Sequence, residues 1–90
     1  MMLRKEIEIV NKLGMHARAA AKFVTLAQTF LADIKVLRNG REVNGKSIMG
    51  VMMLAAAKGS TIELITDGED EDKAMQYLTQ LIQNRFDESE

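Results

Sequence analysis

The chain has 90 residues and a formal net charge of −1, with no cysteine, no proline and a single histidine. This length suits one small domain, and a composition of 47% apolar and 28% charged residues is typical of a globular protein. The lack of cysteine excludes a disulfide framework and a thiolate zinc site, and one histidine cannot supply a His-rich metal site. We therefore expect no metal and no cofactor.

Charge and composition also argue against two kinds of partner. A slightly negative chain with only three Phe and one Tyr lacks both the basic surface and the stacking platform that nucleic-acid binding uses. Residues 1–6 lack the apolar core of a signal peptide, and no apolar run reaches membrane-spanning length. The sequence therefore predicts a cytoplasmic protein with no nucleic-acid partner and no membrane insertion.

The first third of the chain predicts a strand, a loop and a helix. Apolar and polar side chains alternate over residues 3–10, which is typical of a half-buried strand. Gly14 marks a loop over residues 11–15. A helix is predicted from residue 17 to about residue 29, because its apolar residues recur at helical spacing. This stripe comprises Ala20, Phe23, Val24 and Ala27.

The middle of the chain predicts a hairpin and a second helix. Strands over residues 33–38 and 41–44 flank the pair Asn39-Gly40, which favours a tight hairpin turn because both residues tolerate positive φ. Ser47 is a good N-cap for a helix over residues 48–57, and a glycine two residues further on is placed to end it.

The last third predicts a strand over residues 61–66 and a final helix, opened by the acidic stretch 67–72 whose charge suits the helix dipole. The inward stripe of this helix is predicted to be Ala74, Leu78, Leu81, Ile82 and Arg85. Residues 87–90 are expected to fray. The order β-α-β-β-α-β-α predicts an α+β class: one domain over residues 1–90, with a four-stranded antiparallel sheet and three helices on one face.

His16 stands where the glycine loop turns into a helix. An imidazole at a helix N-terminus lies near free backbone N–H groups and the positive end of the helix dipole, and both favour an oxyanion. Arg18 adds a planar, permanently charged donor two residues on. These features suit a histidine that carries a phosphoryl group. The spacing alone is equally compatible with a surface histidine that happens to precede a helix.

The helix after Ser47 is apolar nearly all round. A short surface helix cannot bury its whole circumference, so part of this apolar surface is expected to face outward and bind a partner. Flexible, polarisable methionines suit such a surface, although any one of them is better explained as filling a gap in the core. The residues concerned are Ile48, Met49, Met52 and Met53. Ser47 is explained by capping alone, or else its hydroxyl is a phosphorylation switch beside this surface.

Three motifs together resemble the histidine-containing phosphocarrier (HPr) family of the bacterial phosphoenolpyruvate:sugar phosphotransferase system. They are GMHAR at positions 14–18, GKSIMGV at 45–51 and KGS at 58–60, and the resemblance extends over nearly the whole chain. It implies an open-faced β-sandwich. It also implies a carrier rather than an enzyme, which takes a phosphoryl group from Enzyme I and donates it to IIA domains.

The resemblance also implies roles for single residues. His16 matches the family's phosphoryl acceptor, through Nδ1. Arg18 matches the arginine that stabilises the phosphoryl group together with backbone N–H groups at the helix start, here those of Ala17 and Arg18. Ser47 matches the regulatory serine that HPr kinase/phosphorylase phosphorylates in many bacteria. The partner-binding surface is implied at the first two helices, on Ala17, Ala21, Ile48, Met49, Met52 and Met53.

A departure at Ala19, another at Gly50 where some relatives have a larger or charged residue, and three alternatives accompany this interpretation. Many family members have proline where this chain has Ala19, and little loss is expected because alanine is the best helix former. A purely regulatory phosphoprotein, in nitrogen or carbon signalling without sugar transport, would share the same site. A small RNA-binding domain is disfavoured by the net acidity. A hydrolase using His16 as a base is disfavoured because no carboxylate lies near His16 in the sequence to orient it. We expect a monomer.

Overall fold

Four strands and three α-helices form in the predicted order, in a computed structural model that describes residues 1–90. The strands are β1 (Leu3–Glu8), β2 (Asp33–Arg38), β3 (Arg41–Asn44) and β4 (Thr61–Asp67). The helices are α1 (Ala17–Ala27), α2 (Ile48–Met53) and α3 (Glu71–Gln83), followed by a 3₁₀ turn over Arg85–Asp87. The predicted α+β class is confirmed. None of the helices combines the length and apolar character that crossing a bilayer requires.

The sheet is antiparallel throughout, in the order β1-β4-β2-β3. Ile7 lies opposite Ile62, and Val36 lies opposite Leu64, so buried residues of three strands share one face of the sheet. The three helices pack on this face. On the other face Arg4 and Glu63 form an ion pair at 3.1 Å. The result is the predicted open-faced β-sandwich.

The core lies between the sheet and the helices. Helix α1 buries its predicted stripe of Ala20, Phe23, Val24 and Ala27, and Ala19 in addition. Phe86, near the C-terminus, is fully buried beside them. Burying an aromatic side chain contributes about 1.5–3 kcal/mol to stability. The last residues of the chain are therefore anchored to the core.

Helix α2 ends at Met53, not at residue 57 as predicted. Ala55 has a left-handed φ of 49°, which ends the helical path, and Ala56 is then buried. The carbonyl of Ala56 accepts a hydrogen bond from the backbone N–H of Met15 at 2.8 Å. The helix stops early because the segment after it packs under the loop that precedes α1. Gly59, with a φ of 90°, lies in a later turn.

The C-terminal segment also differs from the prediction. Helix α3 ends at Gln83, and Arg85 is exposed instead of completing the inward stripe. Three consecutive residues, Arg85, Phe86 and Asp87, have φ values of 58°, 53° and 63°. This left-handed run reverses the chain and inserts Phe86 into the core. Where the sequence predicts a frayed end over residues 87–90, the structure folds the end of the chain back onto the domain.

Candidate functional site

The loop before α1 has a shape that requires glycine at position 14. Gly14 has a φ of +67°, and a Cβ at this position would lie 2.5 Å from the carbonyl oxygen of Ala56 and 2.8 Å from Cα of Ala57. Any other residue would displace the backbone beneath it. Met15 is buried, and His16 follows as the N-cap of α1. The position of His16 therefore depends on close packing between the loop and the segment after α2.

The two ring nitrogens of His16 have different partners. Nδ1 accepts a hydrogen bond from the backbone N–H of Arg18 at 3.3 Å, and Nε2 contacts a carboxylate oxygen of Glu88. An ionised carboxylate only accepts hydrogen bonds, so the proton of the neutral ring belongs on Nε2. Nδ1 then keeps its lone pair, aimed at the start of α1. With 27% of its surface exposed, the His16 side chain remains open to a reactant.

Arg18 is exposed, and its guanidinium makes no hydrogen bond or ion pair within the chain. Together with His16, Ala17 and Lys22 it lines an open cleft of about 850 Å³. The first N–H groups of α1 face the same region, since they have no partners inside the helix. The cleft therefore combines a nucleophilic nitrogen, a free cation and helix-start N–H groups, and these can receive an anionic group at Nδ1.

The C-terminal tail contributes a site residue that the sequence analysis missed. Glu88 is separated from His16 by 72 residues, and no local pattern pairs them. Its second carboxylate oxygen accepts a hydrogen bond from Nδ2 of Asn11 at 3.1 Å. Asn11 is fully buried, and the same Nδ2 donates to the carbonyl of Gly14 at 2.7 Å. The only signal in the sequence is Phe86, a large apolar residue in a polar tail.

The surroundings of Glu88 keep it ionised. Burial by itself would raise the pKa of this carboxyl. The hydrogen bonds from Asn11 and His16 oppose burial, as do the charge of Lys22 and that of the His16 ring when it is protonated, and the net result is that the pKa of Glu88 is lowered. The sequence shows no carboxylate near His16, but the fold supplies one.

Ser47 is the N-cap of α2, as predicted, and its Oγ accepts a hydrogen bond from the backbone N–H of Gly50 at 3.2 Å. The neighbouring Lys46 is fixed through both its backbone and its side chain. Its N–H donates to Oδ1 of Asn44 at 2.9 Å, and its Nζ donates to the carbonyl of Phe30 at 2.7 Å. Ser47 itself is half-buried, and its hydroxyl lies at the edge of the surface that α2 presents.

Helix α2 buries Val51 and presents its other apolar residues to solvent. Since α1 and α2 pack against each other, this surface lies beside α1, where Ala17 is exposed and Ala21 is half-buried. We call the exposed part of α2 the methionine patch. It consists of Ile48, Met49, Met52 and Met53, which are 40%, 69%, 41% and 58% exposed. Exposed contiguous apolar surface on a small domain is typical of a binding face.

The whole chain resembles known proteins of one kind. Residues 3–84 match the family model described as PTS HPr component phosphorylation site. Phosphocarrier protein HPr of Cupriavidus necator is 58% identical over 89 residues, which cover 99% of this chain and 100% of that protein. The crystal structure of HPr-C-His from Thermoanaerobacter tengcongensis superposes with a TM-score of 0.94 at 42% identity, covering 98% and 99% of the two chains. An HPr dimer from the same organism has a TM-score of 0.78 at 45% identity, covering 91% and 94%.

Proposed function

Because this chain belongs to the HPr family of phosphotransferase-system phosphocarriers, we propose that it accepts a phosphoryl group on Nδ1 of His16 from Enzyme I and passes it to IIA domains. It acts as a stoichiometric carrier and not as an enzyme, since each molecule is consumed and regenerated in the transfer. We place it in the cytoplasm as a monomer. It needs no metal or cofactor, because the reacting group is the imidazole itself.

The observation that carries this proposal is the orientation of the His16 ring. The lone pair of Nδ1 faces the start of α1, while the proton stays on the opposite nitrogen, next to Glu88. A phosphoryl group on Nδ1 would meet the N–H groups of Ala17 and Arg18 and the unpaired guanidinium of Arg18. These groups would therefore balance the negative charge of the transferred phosphoryl group.

The open position of the site suits a carrier. A carrier must accept the phosphoryl group and then release it, so it must not bind the group too tightly. Arg18 is exposed and has no fixed partner, and the N–H groups lie at the rim of a cleft open to solvent. Exposed charges interact weakly because water screens them. The arrangement therefore stabilises the phosphohistidine without trapping it.

We assign partner binding to the methionine patch together with Ala17 and Ala21 of α1. Ala17 lines the cleft that contains His16, and α2 packs against α1, so a partner that covers these residues would bring its own reacting group to Nδ1. The apolar patch supplies buried area, and the nearby unpaired cation of Arg18 suits an acidic partner surface. Enzyme I and the IIA domains would then use the same face in turn.

We further propose that Ser47 is the target of HPr kinase/phosphorylase. Its half-buried hydroxyl lies beside the patch, so a phosphate there would place about two negative charges at the edge of the docking face. The phosphate would also sit at the start of α2, where the N–H groups tolerate negative charge. Phosphorylation would thus weaken docking without unfolding the helix.

The test of the carrier function is incubation with phosphoenolpyruvate and Enzyme I, followed by intact mass measurement before and after mild acid. The wild-type protein should gain one phosphoryl group that acid removes, and adding a IIA domain should discharge it. The matched control is His16→Ala, which should gain nothing, because the chain contains no other histidine. A wild-type protein that gains no mass would contradict the carrier function and favour a purely regulatory phosphoprotein. Mass gained by His16→Ala would contradict the assignment of the acceptor.

A further inference from the structure

Helix α2 ends beside a residue whose backbone conformation opposes its chemistry. Ala55 has a φ of 49°, in the left-handed region, where the Cβ of any residue other than glycine causes strain. Alanine is also the best helix former, so the local sequence favours continuing the helix at this point. We propose that Ala55 is a positioning residue for phosphoryl transfer: its left-handed conformation holds the loop before α1, and with it His16, at a fixed place relative to the methionine patch. The proposal rests on the carrier function proposed above.

The two neighbours of Ala55 in the chain are held by the rest of the fold. Leu54 is buried, and its carbonyl accepts a hydrogen bond from Nη1 of Arg38 at 3.0 Å. Ala56 is buried as well, and its carbonyl accepts a hydrogen bond from the N–H of Met15 at 2.8 Å. A strained backbone angle persists only where the surrounding structure determines it. These contacts therefore impose the left-handed conformation on Ala55, whose own side chain is exposed.

The turn at Ala55 lies between the docking helix and the loop before α1. On the helix side, the N–H of Ala55 donates to the carbonyl of Met52, a residue of the methionine patch, at 3.1 Å. On the loop side, the carbonyl of Ala56 binds Met15, the residue directly before His16. The path from the patch to the acceptor histidine thus consists of backbone hydrogen bonds on either side of one strained residue.

Relaxation of Ala55 would separate the docking helix from the loop. In an ordinary helical conformation Ala55 would continue α2, and the carbonyl of Ala56 would turn away from Met15. The buried N–H of Met15 would lose its partner, and Gly14, whose backbone packs closely on the same carbonyl, would lose its support. His16 would then have no fixed place relative to the patch. A partner would still dock, but the reacting groups would be misaligned, and a small misplacement is enough to slow a transfer step.

The main experiment compares Ala55→Pro with Ala55→Gly. Both substitutions introduce a poor helix former, but proline fixes φ at about −65° and forbids the left-handed conformation, whereas glycine adopts it without strain. Two quantities are measured: the affinity for unphosphorylated Enzyme I by calorimetric titration, and the single-turnover rate of phosphoryl acceptance at saturating phosphorylated Enzyme I. The first reports the patch, and the second reports the alignment of His16 after docking.

We expect Ala55→Pro to accept the phosphoryl group roughly tenfold or more slowly than Ala55→Gly, with equal affinities for Enzyme I. Equal rates in the two variants would overturn the proposal. An affinity of Ala55→Pro that falls as far as its rate would overturn it too, since the substitution would then act by damaging the patch.

A second measurement needs no partner and covers the case in which Ala55→Pro does not fold. Hydrogen exchange of the Met15 amide reports how often its bond to Ala56 opens, and the Ile9 amide, bound to the carbonyl of Ser60 at 2.8 Å, is the internal reference. Ala55→Gly should slow Met15 exchange about fivefold relative to Ile9, because it removes the strain of the closed state. Ala55→Val should accelerate it, because a β-branched residue tolerates positive φ worse than alanine does.

The matched control for valine is Ala57→Val, since Ala57 is also exposed but has no positive φ. It should leave Met15 exchange as in the wild type. Unchanged exchange in Ala55→Gly, or equal acceleration in Ala55→Val and Ala57→Val, would overturn the proposal. Wild-type protein that accepts no phosphoryl group would instead remove the carrier function. The two failures are distinct, because the exchange of Met15 is measured without Enzyme I.

Discussion

The proposed carrier role of His16 depends on the different surroundings of its two ring nitrogens. Nε2 faces Glu88, and Nδ1 faces the N–H of Arg18 at the start of α1. The side proposed to receive the phosphoryl group is positive and open, and the opposite side contacts the tail. The Arg18 side chain makes no hydrogen bond or ion pair within the chain.

We expect Arg18→Ala to slow phosphoryl acceptance by roughly tenfold to a hundredfold, because it removes a charge-assisted donor from the transferred group. Arg18→Lys should recover part of the rate, since lysine keeps the charge but lacks the planar fork. The unfolding free energy should change by no more than about 0.5 kcal/mol, because the side chain is exposed. Stopped-flow transfer assays and urea unfolding measure the two effects, and a wild-type rate in Arg18→Ala would contradict the role of the guanidinium.

At the scale of elements, α2 is short and exposes much of its apolar surface. It covers only Ile48–Met53, buries Val51 and leaves the methionine patch in solvent. Ser47 begins the helix, and its Oγ satisfies the N–H of Gly50. Ser47 therefore both stabilises the helix and borders the methionine patch. A test of its role in docking needs substitutions that change partner affinity without changing the stability of the fold.

Ser47→Asp and Ser47→Asn provide this separation, because both side chains cap helices well and only one is charged. We expect Ser47→Asp to bind Enzyme I more weakly than Ser47→Asn, with equal unfolding free energies, since the charge lies at the edge of the patch. Ser47→Ala should lose about 1 kcal/mol of stability through the missing cap and keep its affinity. Calorimetric titration with Enzyme I and urea unfolding measure both. Equal affinities of the Asp and Asn variants would remove the proposed switch.

At the scale of the whole molecule, ionised carboxylates tie separate parts of the chain together. Asp70 is the N-cap residue of α3, but its side chain makes no hydrogen bond to the helix. Its two oxygens accept hydrogen bonds from the backbone N–H groups of Leu31, at 2.9 Å, and Ala32, at 2.8 Å. The Leu31 N–H is the main cause that lowers the pKa of Asp70, against an opposing effect of burial and with help from Ala32. Glu71 accepts a hydrogen bond from the backbone N–H of Gly68, and this bond is likewise the main cause that lowers the pKa of Glu71.

These lowered pKa values predict loss of stability in acid. The folded protein binds a proton on Asp70 less readily than the unfolded chain does. The stabilisation from the ionised Asp70 carboxylate is therefore complete above its usual pKa of 3.8 and is lost as the pH falls through the lowered pKa. We expect Asp70→Asn to be less stable than the wild type at neutral pH. The asparagine oxygen can accept one of the two hydrogen bonds, but its NH2 group would then face the other backbone N–H, and two donors cannot bond to each other. The difference should shrink below pH 3.8.

The control for this prediction is Asp72→Asn, which makes the same charge change at an exposed position in the first turn of α3. Urea unfolding at neutral pH and at a series of acidic pH values measures the effect. Asp72→Asn should lose stability in acid as steeply as the wild type, and Asp70→Asn less steeply. Equal steepness in Asp70→Asn and the wild type would show that the bonds to Leu31 and Ala32 do not depend on ionisation.

The sequence by itself determined the features that depend on a few neighbouring residues. The alternation of residues 3–10, the helical stripe of α1 and the Asn39-Gly40 pair each predict an element that the structure contains, and the turn has the expected positive φ values of 52° and 80°. The position of His16 at a helix start follows in the same way from Gly14 and the run after it. Backbone sterics and side-chain periodicity act over one or two turns, so a linear pattern is enough to specify them.

Only the tertiary structure decided the features that join distant parts of the chain. Helix α2 stops at Met53 because Ala56 is needed beneath the loop of Met15, and residues 85–87 turn back because Phe86 fills the core. The contact between His16 and Glu88 follows from both events, across a separation of 72 residues. Contacts of this kind depend on how sheet, helices and tail pack together, which no local pattern encodes. For that reason the sequence singled out His16 as the proposed acceptor, and only the fold identified the carboxylate beside it.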